Sequence, residues 1–205
     1  MNVTKTRSTQ LIKPKILYYG TPVILLTSLN EDETTNISPL SSSWALGDCL
    51  VLGVGVGGKA FENLTRHREC VINIPDPSLW ENVEKLAFYT GKTPVPDSKQ
   101  KNGFTYCKEK YEISGLTPIE SKAIKPTRIK ECPIQIEAKV VAVRIPEHSP
   151  HFAIVEVKKQ LVHAHKGIIM DEHHINPNEW SPLIYNFRHY FGVGDNLGKT
   201  FRADT

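Results

Sequence analysis

Gly57-Gly58-Lys59 stands where a valine- and glycine-rich run at 49–56 gives way to an amphipathic stretch, and such a junction can hold an anion. Glycines let backbone N–H groups approach a ligand, a helix N-terminus carries a partial positive charge, and the lysine adds an ammonium. A second group of chemically able residues lies just upstream, Asn36-Ile37-Ser38-Pro39-Leu40-Ser41-Ser42-Ser43-Trp44. Its hydroxyls can bond to a polar ring edge, and its tryptophan offers apolar cover. Together the two segments read as a cradle for a phosphorylated aromatic cofactor. The plainer readings are a serine-rich loop and a solvated lysine at a helix start.

Other motifs compete. Gly53-Val54-Gly55-Val56-Gly57-Gly58 matches Gly-x-Gly-x-x-Gly, and Asp76 lies near the distance of a ribose-binding acid. A dinucleotide-binding domain, however, needs repeated strand–helix–strand units, whereas the later strands here come as hairpin-like neighbours. Gly53 and Gly55 are therefore expected on a crowded barrel strand. His163 and His165 alternate on one strand face and can chelate a metal, but no third ligand at suitable spacing accompanies them, so no metal is assigned. The Gly-x-Ser-x-Gly elbow of hydrolases is absent. The aromatic segment at 185–191 reads as core, an oligomer contact or a pocket wall.

The elements that must position these groups are mostly strands. An apolar, β-branched run at 23–29 predicts a buried strand with a hairpin partner at 34–37, Pro39 and the serines then ending the ladder. Further strands are expected at 49–56, 70–74, 134–145 and 152–163. Helices are expected at 59–68, with Phe61 and Leu64 on one face, from a Ser78…Glu81 capping box to about residue 89, and near 108–113. The Gly, Pro, Lys and Asp-rich stretch at 90–100 reads as a surface loop. The pattern is mainly β, a β-barrel with peripheral helices.

With 205 residues the chain suits one substantial domain, 20–194, between an N-terminal arm at 1–19 and a tail at 195–205. A net charge of +3 is too small to argue for nucleic acid. Cys49, Cys70, Cys107 and Cys132 are widely spaced and read as reduced, structural thiols. With no apolar run of membrane length and no secretory h-region after the polar start, a cytoplasmic protein with no membrane partner is the expectation.

Taken together, these residues resemble the flavin reductase-like family, the FMN-binding split-barrel proteins that include flavoredoxins and monooxygenase reductase components. The matching features are the opening strand, the Asn36–Trp44 loop and Lys59 to Asn63 leading into Val71-Ile72-Asn73-Ile74. Later matches are Ser114-Gly115-Leu116, the strand after Glu131-Cys132-Pro133, and Pro182-Leu183-Ile184-Tyr185. The resemblance implies a Greek-key split barrel, a homodimer with FMN near its interface, and an NAD(P)H:flavin oxidoreductase served by a monooxygenase or other redox partner. The alternative it implies is a flavoredoxin-like electron carrier without intrinsic NAD(P)H activity. By that resemblance Ser41, Ser42, Ser43 and Trp44 would line the ring, Gly57, Gly58, Lys59 and Asn63 would hold the phosphate end, and Asn36 would also be cofactor-binding. This chain departs from the family pattern at Gly47-Asp48, where many members carry a proline pair, and at Ala60, where many carry threonine. No catalytic acid–base pair is implied, because the cofactor carries the hard chemistry.

Overall fold

The computed structural model describes residues 8–198 and 200. Residues 1–7 of the expected arm, and 199 and 201–205 of the expected tail, lie outside the described residues. The chain begins with β1 (Tyr19–Pro22), β2 (Ile24–Leu29), β3 (Thr35–Leu40), β4 (Ser43–Leu46) and β5 (Cys49–Gly55), then α1 (Lys59–His67) and β6 (Glu69–Ile74). Short pieces follow: α2 (Trp80–Leu86), β7 (Tyr89–Thr90), α3 (Asp97–Gln100), β8 (Thr105–Tyr106), α4 (Lys110–Ser114), β9 (Pro118–Ile119) and β10 (Arg128–Ile129). Two long strands, β11 (Ile134–Arg144) and β12 (Phe152–Ala164), precede a small terminal hairpin, β13 (Ile184–Asn186) and β14 (His189–Phe191).

Seven strands form the main sheet in the order β3-β2-β6-β11-β12-β5-β4, and every pairing in it is antiparallel. Its two edges, β3 and β4, are joined only by Ser41-Ser42. Three Cα steps of about 3.8 Å separate Leu40 from Ser43, so the edges stand within roughly 11 Å. That short link forces the sheet to curl into a barrel split along one seam. The fold is mainly β, a split barrel.

Alternating residues of these strands fill the barrel, among them Leu26, Leu52, Val54, Ile72 and Val155, and α1 plugs one end with Ala60 and Leu64. Leu25 faces the opposite way, into a second core with Ile37, Val83, Leu86, Ile129 and Leu183. With both faces of β2 covered, the run at 23–29 has no reason to alternate with polar residues.

Four local readings change. β3 runs on through Pro39, opposite Leu25, because an edge strand loses no ladder bond to a missing N–H. Ser43 and Trp44 are not loop but strand, opposite Leu52 and Val51, turned by the two-residue Gly47-Asp48 hairpin in which Gly47 has φ +59°. The Ser78–Glu81 capping box gives way to Asp76, whose carboxylate accepts from the Ser78 backbone N–H at 2.8 Å and opens a 3₁₀ turn ahead of α2. Gly53 is crowded as expected, since a Cβ there would stand 3.0 Å from Ser42 Cβ, but at Gly55 nothing lies within 4 Å.

All four cysteines are free thiols, and burial pushes the Cys70 thiol up to about 12.

Candidate functional site

At the barrel seam the structure opens a cleft of about 540 Å³. Ser41 and Ser42 are where the chain crosses between sheet edges. Ser42 is held there by its carbonyl, which accepts from Gly53 N–H at 2.7 Å, and by its hydroxyl, which donates to Gly53 O at 3.0 Å. Across the cleft, Gly57, Gly58, Lys59 and Ala60 start α1. Gly58 N–H closes a tight turn onto Gly55 O at 2.9 Å, and no side chain caps the helix. The far end is aromatic, with Tyr18 edge-on to Tyr185 at 5.5 Å and Tyr185 against Tyr190 at 5.7 Å. Tyr190 donates its hydroxyl to Glu84 Oε2 at 2.9 Å. The C-terminal aromatic segment therefore walls the cleft.

Besides Lys59, the cleft holds two lysines, one from the stretch at 90–100 that reads as a surface loop and one from the helix expected near 108–113. Residues 90–100 contribute Thr90, Gly91, Ser98 and Lys99, and α4 contributes Lys110. Lys99 Nζ donates to Thr90 Oγ1 at 3.3 Å and stands 3.8 Å from where a Cβ on Gly58 would be. Lys110, 3% exposed, donates to Ile37 O at 2.7 Å. Burial lowers the affinity of both ammonium groups for their protons. Lys92 adds repulsion at Lys99, and Lys99 adds it at Lys110, which sits at about 8. Among the described residues both lysines donate only to uncharged oxygens. Desolvated like charges of this kind can be offset by an anion. Nothing in the spacing of Lys99 or Lys110 signals this in sequence. Their convergence depends on the parallel pairing of β7 with β8, which ties the two ends of the loop together.

Of the residues singled out by sequence, Ser41, Ser42, Gly57, Gly58 and Lys59 all line the cleft. The Lys59 ammonium is engaged by Glu31 at 2.7 Å, and that hydrogen bond holds the Glu31 carboxyl down at about 2. Asn36 is buried, donates to Ser38 Oγ at 2.9 Å, and packs against Gly91, where a Cβ would come within 2.2 Å of Asn36 Oδ1. Only glycine fits at 91. Asn63 is also buried. It donates to Ser28 Oγ at 3.1 Å and Asn30 Oδ1 at 3.0 Å and accepts from Arg66 Nη2 at 2.8 Å, tying α1 to the β2–β3 hairpin. Ser43 and Trp44 lie beyond the cleft, in an outer groove beside Arg144 and Glu156. Ala60 belongs both to the cleft lining and to the barrel core. His163 Nε2 lies 2.7 Å from Glu137 Oε1 and His165 Nε2 lies 2.9 Å from Lys130 O.

A split barrel with a cleft at its seam is the architecture of a flavin reductase-like protein. The family profile described as "Flavin reductase like domain" matches residues 16–194, and the chain belongs to that family. It is 64% identical over 200 residues, 98% of this chain and 97% of the other, to the uncharacterized protein YdfE of Bacillus subtilis (strain 168). Among solved structures it is similar to the flavoredoxin of Desulfovibrio vulgaris (Miyazaki F), with a TM-score of 0.78 and 19% identity over 97% of this chain and 100% of that one. It is also similar to nitrilotriacetate monooxygenase component B from Bacillus cereus, with a TM-score of 0.74 and 19% identity over 95% and 100% of the respective chains.

Proposed function

We propose that the protein is an FMN-binding oxidoreductase that passes reducing equivalents from NAD(P)H to flavin. The observation that carries this reading is the pair of lysines, Lys99 and Lys110, without carboxylate partners beside an uncapped helix N-terminus. A Cβ on Gly58 would stand 3.1 Å from the Gly55 carbonyl oxygen and 3.8 Å from the Lys99 ammonium, so this glycine keeps the start of α1 within reach of that cation. FMN, when bound, supplies the hydride-accepting ring. The chain's own groups hold and orient it. Gly57, Gly58 and the start of α1, with Lys99 and Lys110, take the phosphate. Lys59 contributes less, because Glu31 already offsets its charge. Ser41 and Ser42 offer hydroxyls along one ring edge, and Tyr18, Tyr185 and Tyr190 exclude water at the other end.

An absorption spectrum of purified protein with FMN, followed by NADH and then NADPH, tests the proposal. Flavin colour that bleaches with either donor supports it, and a cleft that takes up no FMN sinks it. Bound flavin that neither donor reduces would favour the second reading, a flavoredoxin-like electron carrier. That reading has one observation behind it: the glycine motif is spent on the barrel strand and the cleft, and Asp76 on a helix cap.

The exposed apolar side chains Leu11, Ile12, Leu17, Trp44 and Leu46 support a homodimer with FMN near its interface, and a monooxygenase or other redox protein as partner. Among the described residues no helix is long and apolar enough to cross a membrane. A cytoplasmic setting is proposed on the free thiols.

Acidity gives a further check. With Lys110 at about 8 in the free protein, FMN affinity is expected to hold below pH 7 and to fall, toward about tenfold per unit, above pH 8 as that ammonium is lost. The stability of the unliganded fold should move the opposite way. The unfolded chain keeps the Lys110 proton up to about 10.5 and the folded chain releases it at about 8, so the unfolded state binds more protons between these values. Stability then rises with pH in that window, by up to about 3 kcal/mol from this group. FMN titrations and urea unfolding at pH 7, 8 and 9.5 read both slopes.

A further inference from the structure

The terminal hairpin turns on two residues poorly suited to turning. β13 and β14 pair Tyr185 with Tyr190 and Asn186 with His189, which leaves Phe187 and Arg188 as the whole of the loop. Both are left-handed, with φ +43° and φ +70°. Two-residue loops with positive φ at both positions favour Asn-Gly, and a bulky phenylalanine there is strained. The turn is held all the same: Phe187 N–H donates to Tyr18 O at 2.7 Å, and His189 Nδ1 lies 3.1 Å from Phe187 O. Backbone strain that the surroundings enforce points to a use for the side chains it displays.

Those side chains are an aromatic ring and a cation. Phe187 is 46% exposed, and Arg188 is exposed as well. Among the described residues Arg188 forms no hydrogen bond and no ion pair. The tip lies two residues, roughly 7 Å along the strands, beyond Tyr185 and Tyr190, which line the aromatic end of the cleft. The Arg188 charge is felt at the Tyr185 phenol, where it opposes the upward push of burial. Glu84, the carboxylate that reaches these rings, already accepts from the Tyr190 hydroxyl at 2.9 Å.

We propose that the Phe187–Arg188 tip selects the electron donor: it receives the adenosine end of the nicotinamide dinucleotide, with Arg188 on the 2′-phosphate, so that NADPH is preferred over NADH. The proposal rests on the oxidoreductase reading of the cleft and names its donor. In that reading Lys99 and Lys110 take the flavin phosphate at the start of α1, which leaves a phosphate of the donor to a cation elsewhere. A nicotinamide that meets the flavin ring inside the cleft leaves the other half of its dinucleotide outside, where Phe187 and Arg188 form the exposed turn of the aromatic wall. A guanidinium matches a phosphate through two parallel N–H donors, and a phenyl ring stacks on adenine. NADPH differs from NADH only in that phosphate, which carries about two negative charges at neutral pH.

The test uses FMN-loaded protein, as wild type, Arg188→Gly, Arg188→Lys and Phe187→Ala. kcat/KM is measured for both donors, and binding of adenosine 2′,5′-bisphosphate and adenosine 5′-monophosphate is followed by calorimetry. The wild type is expected to favour NADPH about tenfold, through KM. Arg188→Gly should abolish that preference and weaken the bisphosphate about tenfold, with the monophosphate held within about twofold. Arg188→Lys should keep part of the preference, since it retains the charge and loses the fork. Phe187→Ala should raise KM for both donors by equal factors of about five. Glycine also relieves the left-handed backbone, so the urea midpoint of Arg188→Gly should not fall, which separates loss of the contact from damage to the hairpin. Equal use of the two donors by the wild type, or an NADPH preference that survives Arg188→Gly, would overturn the proposal and leave the oxidoreductase reading standing. Equal losses with both donors in Arg188→Gly would place Arg188 on their shared pyrophosphate and overturn the selection. Protein that takes up no FMN, or bound FMN that neither donor reduces, would overturn the oxidoreductase reading and the donor assignment with it.

Discussion

Lys110→Met is expected to raise the dissociation constant for FMN by roughly ten- to a hundredfold, because it removes a charge-assisted hydrogen bond of about 1.5–3 kcal/mol. Lys110 is the more deeply buried of the two cleft lysines, so little water competes for its charge. Methionine keeps the length of the stem and deletes the ammonium. The Ile37 carbonyl loses its 2.7 Å donor, which costs stability, but the protein is also relieved of a desolvated cation. The unliganded variant should therefore unfold within about 1–2 kcal/mol of the wild type, while its FMN titration shifts strongly. The pH dependence of FMN affinity above pH 8 should vanish in the same variant. An unchanged dissociation constant, or an unchanged pH profile, would remove Lys110 from the phosphate site.

Glu137→Ala should cost stability rather than affinity, by about 3–5 kcal/mol. Glu137 is fully buried on β11 and accepts from the backbone N–H groups of Lys122 at 2.8 Å and Ala123 at 2.7 Å, with His163 at 2.7 Å and Arg128 Nε at 3.7 Å. Truncation takes their acceptor from the Lys122 and Ala123 N–H groups, leaves Arg128 and His163 without their carboxylate, and frees the segment between β9 and β10 from the barrel. Glu137→Gln keeps the shape and one acceptor and should lose less, about 1–3 kcal/mol. Urea unfolding reads the difference as a lower midpoint at constant slope. Burial pushes the Glu137 carboxyl up, but the two backbone N–H groups and His163 outweigh it, and its proton affinity ends below the ordinary value. Its contribution is therefore present above about pH 4.5 and is lost as pH falls through the lower folded value. The gap between wild type and Glu137→Ala should narrow accordingly in acid.

The barrel was legible in sequence because its strands alternate or run continuously apolar, and α1 because Phe61 and Leu64 fall on one face below a glycine turn. Half of the cradle was equally legible, since Ser41, Ser42, Gly57 and Gly58 are adjacent in the chain as well as in space. Its cations were not. Lys99 and Lys110 lie in and beyond a Pro- and Gly-rich stretch with no periodicity, and tertiary pairing brings both to the cleft, Lys99 beside Gly58. Asn36 and Asn63 show the reverse. Their amides look available in sequence, yet each is already hydrogen-bonded within the protein, a fact that depends on Ser38, Ser28, Asn30 and Arg66 converging.

Ser41 and Ser42 alone bridge the two edges of the split barrel; Ser41 lines the cleft, Ser42 lines both the cleft and the outer groove, and Ser43 and Trp44, next along the chain, belong to the groove. Inside and outside of this molecule thus meet at one residue, Ser42. A shift of that residue would move the cleft wall and the groove wall together.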